Sequence, residues 1–324
     1  MKIISTKLNR EKLNTGNISK DTCFFDIETT GFNRDLDIIY LIGILYFDIQ
    51  EDSWIVSQYF AEKLKDERQL IIEATKFLIG FNTIINYNGN SFDIPFVNHK
   101  LKSFKTDLYL DPSKSLDLYA FIRKNKALLE IENLKLKTVE EYLAIYRTDI
   151  YSGKDCIGFY KDYILNGSSE LKDRLLTHNF EDLYYLVDII DIVDIIKDKK
   201  SFKLVKGQDT FEFLVEEMKS YRDKLILEGS VKGLGQNIIY YEDQFSIIVE
   251  NQESFEITLY PYRGLVTPEK IGKFVYKNDF KFSADTKANE VYNIPQDILL
   301  LQVGSKFLLE EILILLENLL DSIL

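Results

Sequence analysis

Asp26 and Glu28 stand two residues apart in the run Cys23-Phe24-Phe25-Asp26-Ile27-Glu28-Thr29-Thr30-Gly31. On a strand, residues two apart project from one face. Paired carboxylates there repel each other, and burial sharpens the repulsion. A divalent cation would relieve it. A solvated strand end is the ordinary alternative, since this spacing also arises by chance in a chain with 52 acidic residues. A second run, Asn88-Gly89-Asn90-Ser91-Phe92-Asp93, follows the apolar segment 83–87 and opens a helix. Asp93 there is either an N-cap or a ligand. A third, His178-Asn179-Phe180-Glu181-Asp182, places a histidine and an aspartate four apart on one helical face. Taken alone, these two could be a hydrogen-bonded histidine and a surface acid.

The elements that must position these residues are legible from periodicity. Segments 22–31, 37–48 and 54–60 are apolar and β-rich and predict a three-strand meander. Leu70, Ile71, Ala74, Phe77 and Leu78 predict a helix over 67–79 that Gly80 can close. Segment 83–87 has the short apolar character of a buried parallel strand. Further helices are expected over 92–102, 134–143 and 175–196, with a strand-to-helix junction at 115–119. Strands first, then strands alternating with helices, imply a mixed α/β sheet flanked by helices.

The first 20 residues are polar and read as an arm or a short edge element. Beyond residue 200 the texture changes to short β-like runs at 225–227, 237–241, 245–249 and 255–260. An apolar helix over 305–324, capped by Ser305, closes the chain. The expected domains are therefore an arm (1–20), an α/β domain (21–200) and a smaller, mostly-β accessory domain with a terminal helix (201–324).

Composition narrows the chemistry. The net charge of −12 argues against a protein that coats nucleic acid through bulk charge. It leaves room for an enzyme that handles nucleic acid through metal ions and local basic patches. One such patch is 263–281, where Arg263, Lys270, Lys273, Lys277 and Lys281 face only Glu269 and Asp279; a solvated charged face is the ordinary reading of such a run. Two histidines, His99 and His178, and two cysteines, Cys23 and Cys156, supply neither a multi-histidine zinc site nor a disulfide framework. No apolar stretch is long enough to span a bilayer and no signal-peptide core precedes residue 20, so a reducing cytoplasm is expected, without membrane contact.

In order and context the three motifs resemble the DEDD, or DnaQ-like, exonucleases of the ribonuclease H-like superfamily. The Asp-x-Glu of the first strand is matched by Asp26 and Glu28, with Thr29, Thr30 and Gly31 in the same style. The asparagine and aromatic-Asp pair are matched by Asn88, Phe92 and Asp93. The final aspartate on a helix is matched by Asp182. His178 precedes it by four residues (182 − 178 = 4), which combines the tyrosine branch's spacing with the histidine branch's residue type. That mixture, the segment Leu134-Lys135-Leu136-Lys137-Thr138-Val139-Glu140-Glu141-Tyr142-Leu143 and the His178-Asn179 pair are similar to the YprB-like branch. The resemblance covers about residues 20–198.

It implies a ribonuclease H-like, five-stranded mixed sheet and a 3′→5′ exonuclease that hydrolyses phosphodiesters of DNA or RNA with two divalent ions, Mg²⁺ or Mn²⁺. Hard oxygen donors favour those ions over zinc. By the same resemblance Asp26 bridges the ions, Glu28 and Asp182 complete one site, Asp93 holds the second ion, and His178 orients or deprotonates the attacking water. Thr29, Asn88 and Phe92 would meet the substrate, Phe92 by stacking on a terminal base. The partner implied is a nucleic acid 3′ end. The rival reading is a non-catalytic nucleic-acid-binding or scaffold protein that kept the fold.

Overall fold

The computed structural model describes residues 1–8, 18–281 and 287–324. The chain divides into two compact units, Met1–Val193 and Asp194–Leu324.

The first unit runs β1 (Lys2–Lys7), β2 (Thr22–Thr29), β3 (Ile39–Asp48), β4 (Ser53–Phe60), α1 (Glu67–Leu78), β5 (Thr83–Asn86), α2 (Asp93–Ser103), β6 (Ser115–Asp117), α3 (Leu118–Lys124), α4 (Leu136–Tyr142), α5 (Gly153–Asn166) and α6 (Ser169–Ile189). α7 (Asp191–Lys199) crosses the division between the units. The strands form one mixed sheet in the order β1-β4-β3-β2-β5-β6. The β1–β4, β4–β3 and β3–β2 pairings are antiparallel; β2–β5 and β5–β6 are parallel.

Among the described residues the sheet has six strands, one more than expected. The extra strand is β1, which pairs along β4 from Lys2 opposite Phe60 to Lys7 opposite Ile55. Residues 2–7 are thus an edge strand of the sheet; the rest of the expected arm lies partly outside the described residues. β3 is buried on both faces from Ile39 to Leu45, the pattern of a central strand.

The single helix expected over 175–196 is two. α6 ends at Ile189 and α7 resumes at Asp191. α6 also starts earlier than its apolar spacing suggests, because the Ser168 hydroxyl accepts the Leu171 N–H at 3.3 Å and caps it. α5 has no strong sequence signal of its own. It is set by its ends: a capping box of Ser152 and Asp155, and Gly167 in the left-handed conformation (φ 68°).

The second unit begins with β7 (Ser201–Lys206), β8 (Asp209–Ser220), β9 (Leu225–Lys232), β10 (Ile238–Tyr241), β11 (Phe245–Glu250) and β12 (Ser254–Leu259). They form an antiparallel sheet in the order β10-β11-β12-β9-β8-β7. A four-stranded antiparallel sheet follows from β13 (Tyr262–Thr267), β14 (Lys270–Tyr276), β15 (Ile298–Val303) and β16 (Lys306–Phe307). α8 (Lys287–Tyr292) precedes β15, and α9 (Leu309–Ile323) ends the unit. α9 buries Ile312, Leu315, Leu316, Leu319 and Leu320 with Val215, Leu227, Ile247 and Ile257. Ser305 does not cap it: residues 306–307 pair with β15, and the helix starts after Leu308 without a side-chain cap. Among the described residues no helix is long and apolar enough to cross a membrane.

Candidate active site

The strands β2 and β5 pair in parallel, β2 runs on past the end of β5, and the motif residues gather beyond that end, where ligands bind in open α/β sheets. Alternation along β2 sends Phe25 and Ile27 into the core and Asp26 and Glu28 to the other face. α6 packs on that face. Gly43, opposite Asp26 on β3, makes the close approach possible: a Cβ there would overlap the Asn179 and Leu183 side chains of α6. From this position Asn179 Nδ2 donates to Asp26 Oδ2 at 2.8 Å. Gln58 Nε2 in turn donates to Asn179 Oδ1 at 2.9 Å and to the Leu176 carbonyl at 2.8 Å. The amide of Asn179 is therefore oriented from one side by Gln58 and spent on Asp26 at the other.

Asp93 opens α2 and does more than cap it. The β2–β5 ladder ends at Phe24 opposite Ile85, which leaves the Ile27 N–H without a strand partner on that side. Asp93 Oδ1 accepts it at 3.0 Å. The turn before Asp93 is held by a residue that sequence reasoning missed. Asp117, at the end of β6, accepts the Asn88 N–H at 2.9 Å and the Asn90 N–H at 3.1 Å. Asn86 Oδ1 accepts the Gly89 N–H at 2.9 Å, and Asn88 itself adopts φ 69°. Asn88 thus contributes turn geometry through its backbone. Thr29 donates its hydroxyl to the Gly31 carbonyl at 2.7 Å, within its own turn. Phe92 is half-buried, edge-on to Phe96 and to Phe32 at 5.8 Å. Phe32, on the loop after β2, is 82% exposed and was also missed.

His178 and Asp182 do share one face of α6. His178 Nε2 lies 3.5 Å from Glu28 Oε1 and 3.7 Å from Asp182 Oδ2. Glu28, His178 and Asp182 each offer a ligand atom within 4.8 Å of the others and could hold a metal ion. His178 Nδ1 is bound at 2.6 Å to Asp149 Oδ2, so Nε2 is the nitrogen left facing the carboxylates.

Asp149 belongs to a loop that is stitched to α6 at successive residues. Arg147 forms an ion pair with Asp182, the Thr148 hydroxyl donates to Glu181, the Asp149 N–H donates to Glu181 Oε2 at 2.9 Å, and the Asp149 carboxylate takes His178. α4 holds the loop from the other side. Glu140 grips the Arg147 guanidinium with both carboxylate oxygens, one of them at 2.5 Å from Nε, and Lys137 Nζ donates to the Asp149 and Tyr151 carbonyls at 3.2 and 2.7 Å. Arg147 and Glu140 are buried and Asp182 nearly so.

The electrostatics follow from this crowding. Burial first, then the charges of Asp182, Asp93 and Glu28, push Asp26 well above the usual carboxylate range, against the Asn179 hydrogen bond. Burial raises Glu28 to about 7, with His178 opposing and Asp182 adding to the rise. Burial also raises Asp93 to about 7, against the hydrogen bond from Ile27. Burial works against charge on His178, but the Cys156 sulfur and the Asp182 and Glu28 carboxylates outweigh it and lift the imidazole to about 11. The Asp149 carboxyl is held below its ordinary value: burial would raise it, and the His178 hydrogen bond overrides that.

Glu28 and Asp182 thus meet His178 within ligand distance, and Asp26 and Asp93 lie close enough to act on these acids through their charge. Their hard oxygen donors and unrelieved repulsion fit divalent cations, and Asp182 keeps Oδ2 clear of Arg147 for the purpose.

No curated protein matches the chain. Among solved structures it is similar to a family B DNA polymerase from the hyperthermophilic archaeon Pyrobaculum calidifontis, at 14% identity and TM-score 0.44, over 63% of this chain and 33% of that one. It is also similar to exonuclease I, at 15% identity and TM-score 0.31, over 64% of this chain and 55% of that one. It therefore spans about a third and about half of those chains. A family model described as the RNase_H superfamily matches residues 23–193, more than half of the 324 residues and all of the sheet from β2 onward together with α6. The chain belongs to the RNase H superfamily.

Proposed function

We propose that the protein is a metal-dependent 3′→5′ exonuclease of the DEDD type, in its YprB-like branch, acting on DNA or RNA in a reducing cytoplasm. One observation carries the reading: Glu28, His178 and Asp182 offer ligand atoms within 4.8 Å of one another, beside Asp26 and Asp93, whose carboxyls burial and the neighbouring acids push up. Mg²⁺ or Mn²⁺ ions held by these four would supply Lewis acidity and a charge clamp for phosphodiester hydrolysis. Asp26, on which the other three act through their charge, would bridge the two ions. Asn179 keeps its carboxylate in the one orientation. His178 Nε2 is aimed at the space between Glu28 and Asp182, where it can orient an attacking water; the imidazole, lifted to about 11 by these acids, could accept that water's proton only once bound cations offset their charge. The Phe92–Phe32 pair offers an apolar surface beside Asp93 for a terminal base. Thr29 and Asn88 act by shaping the two turns that border the cluster. Both cysteines are buried free thiols, in keeping with a reducing compartment.

A non-catalytic nucleic-acid-binding role is favoured by one observation, the ion pair that already engages Asp182. A 5′-labelled single strand incubated with Mn²⁺ separates the two readings. Stepwise shortening that disappears in Asp26→Asn supports the exonuclease; an unchanged strand with retained binding supports the rival.

A further inference from the structure

The second unit carries a cluster of cations that nothing in the first unit explains. In the β13–β14 hairpin Arg263 lies directly opposite Lys273. Like charges in that register repel. Lys273 is nevertheless buried, and burial followed by the charge of Arg263 lowers its pKa. Its ammonium donates to the carbonyls of Tyr221 and Lys224, the latter at 3.0 Å. Those two residues bound the β8–β9 turn, which is closed by the Tyr221 N–H on the Lys224 carbonyl at 2.9 Å. The Lys273 side chain therefore clamps the turn onto the hairpin and brings Arg222, inside the turn, to the cavity that Arg263 and Lys270 also line. The cavity is about 350 Å³.

Charge balance makes the cavity unusual for its surroundings. Residues 201–324 hold 13 basic and 20 acidic residues, a net of 13 − 20 = −7. Lys203, Lys206, Lys219 and Lys287 in the same unit are each paired with a carboxylate. Among the described residues Arg222, Arg263 and Lys270 form no ion pair. Glu269 is the one carboxylate lining the cavity, and Asp223 lies close enough to act on Lys273. Two exposed guanidinium forks and an exposed ammonium around one cavity, with Glu269 as the carboxylate in its lining, fit a phosphate, which an arginine binds through paired donors. Tyr221 is 49% exposed at the same cavity with Lys224 Nζ 5.5 Å from its ring centre, and a base stacking on that face would displace the lysine.

We propose that this cavity binds a backbone phosphate of single-stranded nucleic acid, with Arg222 and Arg263 as its ligands, Lys270 as added charge and Tyr221 as the stacking surface. The identity of the polyanion rests on the nuclease reading above; the cluster itself does not.

Binding of a fluorescent oligothymidylate of roughly 20 nucleotides to the full chain, read by anisotropy in EDTA, tests it without cleavage. The pair Arg222→Glu and Arg263→Glu should weaken binding at least about ten-fold and flatten the slope of log affinity against log salt by about 1.4, near 0.7 per phosphate contact. The pair Lys232→Glu and Lys306→Glu, which changes net charge equally at exposed positions outside the cavity lining, should weaken it by less than about three-fold. Equal losses in both pairs, no loss in the first, or no binding by the unsubstituted chain at about 50 mM salt each overturn the proposal. Cleavage with Mn²⁺ is read separately. A chain that binds through the cavity but never cleaves fails the nuclease reading alone, and one that cleaves while the first pair binds normally fails the cavity alone.

Discussion

Arg147 meets Asp182 inside the carboxylate cluster, and the same guanidinium is gripped from behind by both oxygens of Glu140. One guanidinium therefore serves a buried acid and a largely buried one, the latter being the residue that the third motif contributes. Removing it strands two charges. Arg147→Ala should destabilise the protein by about 3–5 kcal/mol in urea unfolding, the usual cost of breaking a buried pair. Mn²⁺ should stabilise this variant more than the wild type, because the metal then supplies the missing positive charge. A loss under about 1 kcal/mol would show that the pair is not formed in solution.

Metal and pH should act on the fold in opposite senses. Glu28 and Asp93 rise to about 7 from 4.5 and 3.8, so the folded state holds their protons more tightly than the unfolded state. Their contribution is full below the unfolded values and is lost as pH rises through about 7. His178, raised from 6.5 to about 11, adds a loss of the same sign at higher pH. The metal-free protein should therefore melt at lower temperature at about pH 8 than at about pH 5, since a ten-fold difference in proton affinity between the folded and unfolded states is worth about 1.4 kcal/mol. Mn²⁺ at millimolar level should raise the melting temperature most at the alkaline end. An equal metal shift in Asp26→Asn would count against the site.

Asn179 should matter through Asp26. Asn179→Leu keeps bulk but removes the donor, so Asp26 should become harder to ionise. Mn²⁺ affinity, measured by titration calorimetry, should fall about ten-fold, the worth of one hydrogen bond to a charged group. Gly43→Ala drives a methyl into the same amide and should cost about 1–3 kcal/mol of stability while abolishing activity. Normal metal affinity in both variants would remove Asn179 from the machinery.

Ligand and base should separate kinetically. Asp182→Asn should reduce cleavage to background at every pH. His178→Ala should keep metal binding and lose about 10²–10⁴ in rate, with the acid limb of the pH–rate profile flattened or shifted. Full activity of His178→Ala would show that Nε2 does not act on the water. Full activity of Asp182→Asn would remove the third motif from the chemistry.

The three motifs were legible because each is local: a two-residue spacing on β2, a polar turn into α2, and a four-residue step on α6. What organises them was not. Asn86 and Asp117, which hold the turn at 88–90, sit in segments that the sequence marks only as a strand and a strand-to-helix junction, and Arg147 and Asp149, which hold Asp182 and His178, lie in a stretch without periodicity. The one available signal was α4, whose segment carried the branch resemblance and whose Lys137 and Glu140 now prove to grip the loop. β1 escaped because a strand exposed along most of its length has no apolar alternation to read. Ser305 misled because a good capping residue lies beside a short strand that uses the following backbone instead.

The hydrogen bond from Asn179 to Asp26 joins residues 153 apart in the chain. Contacts that distant form late, since a long loop must be closed before they contribute. A growing chain that has emerged through α5 already carries Asp26, Glu28 and Asp93, yet it has no α6 to orient the first of them and no Asp182. The carboxylates alone are thus present well before the site is. If the proposed activity holds, the site waits for α6, and an incomplete polypeptide would expose these acids without the means to cut the nucleic acid around it.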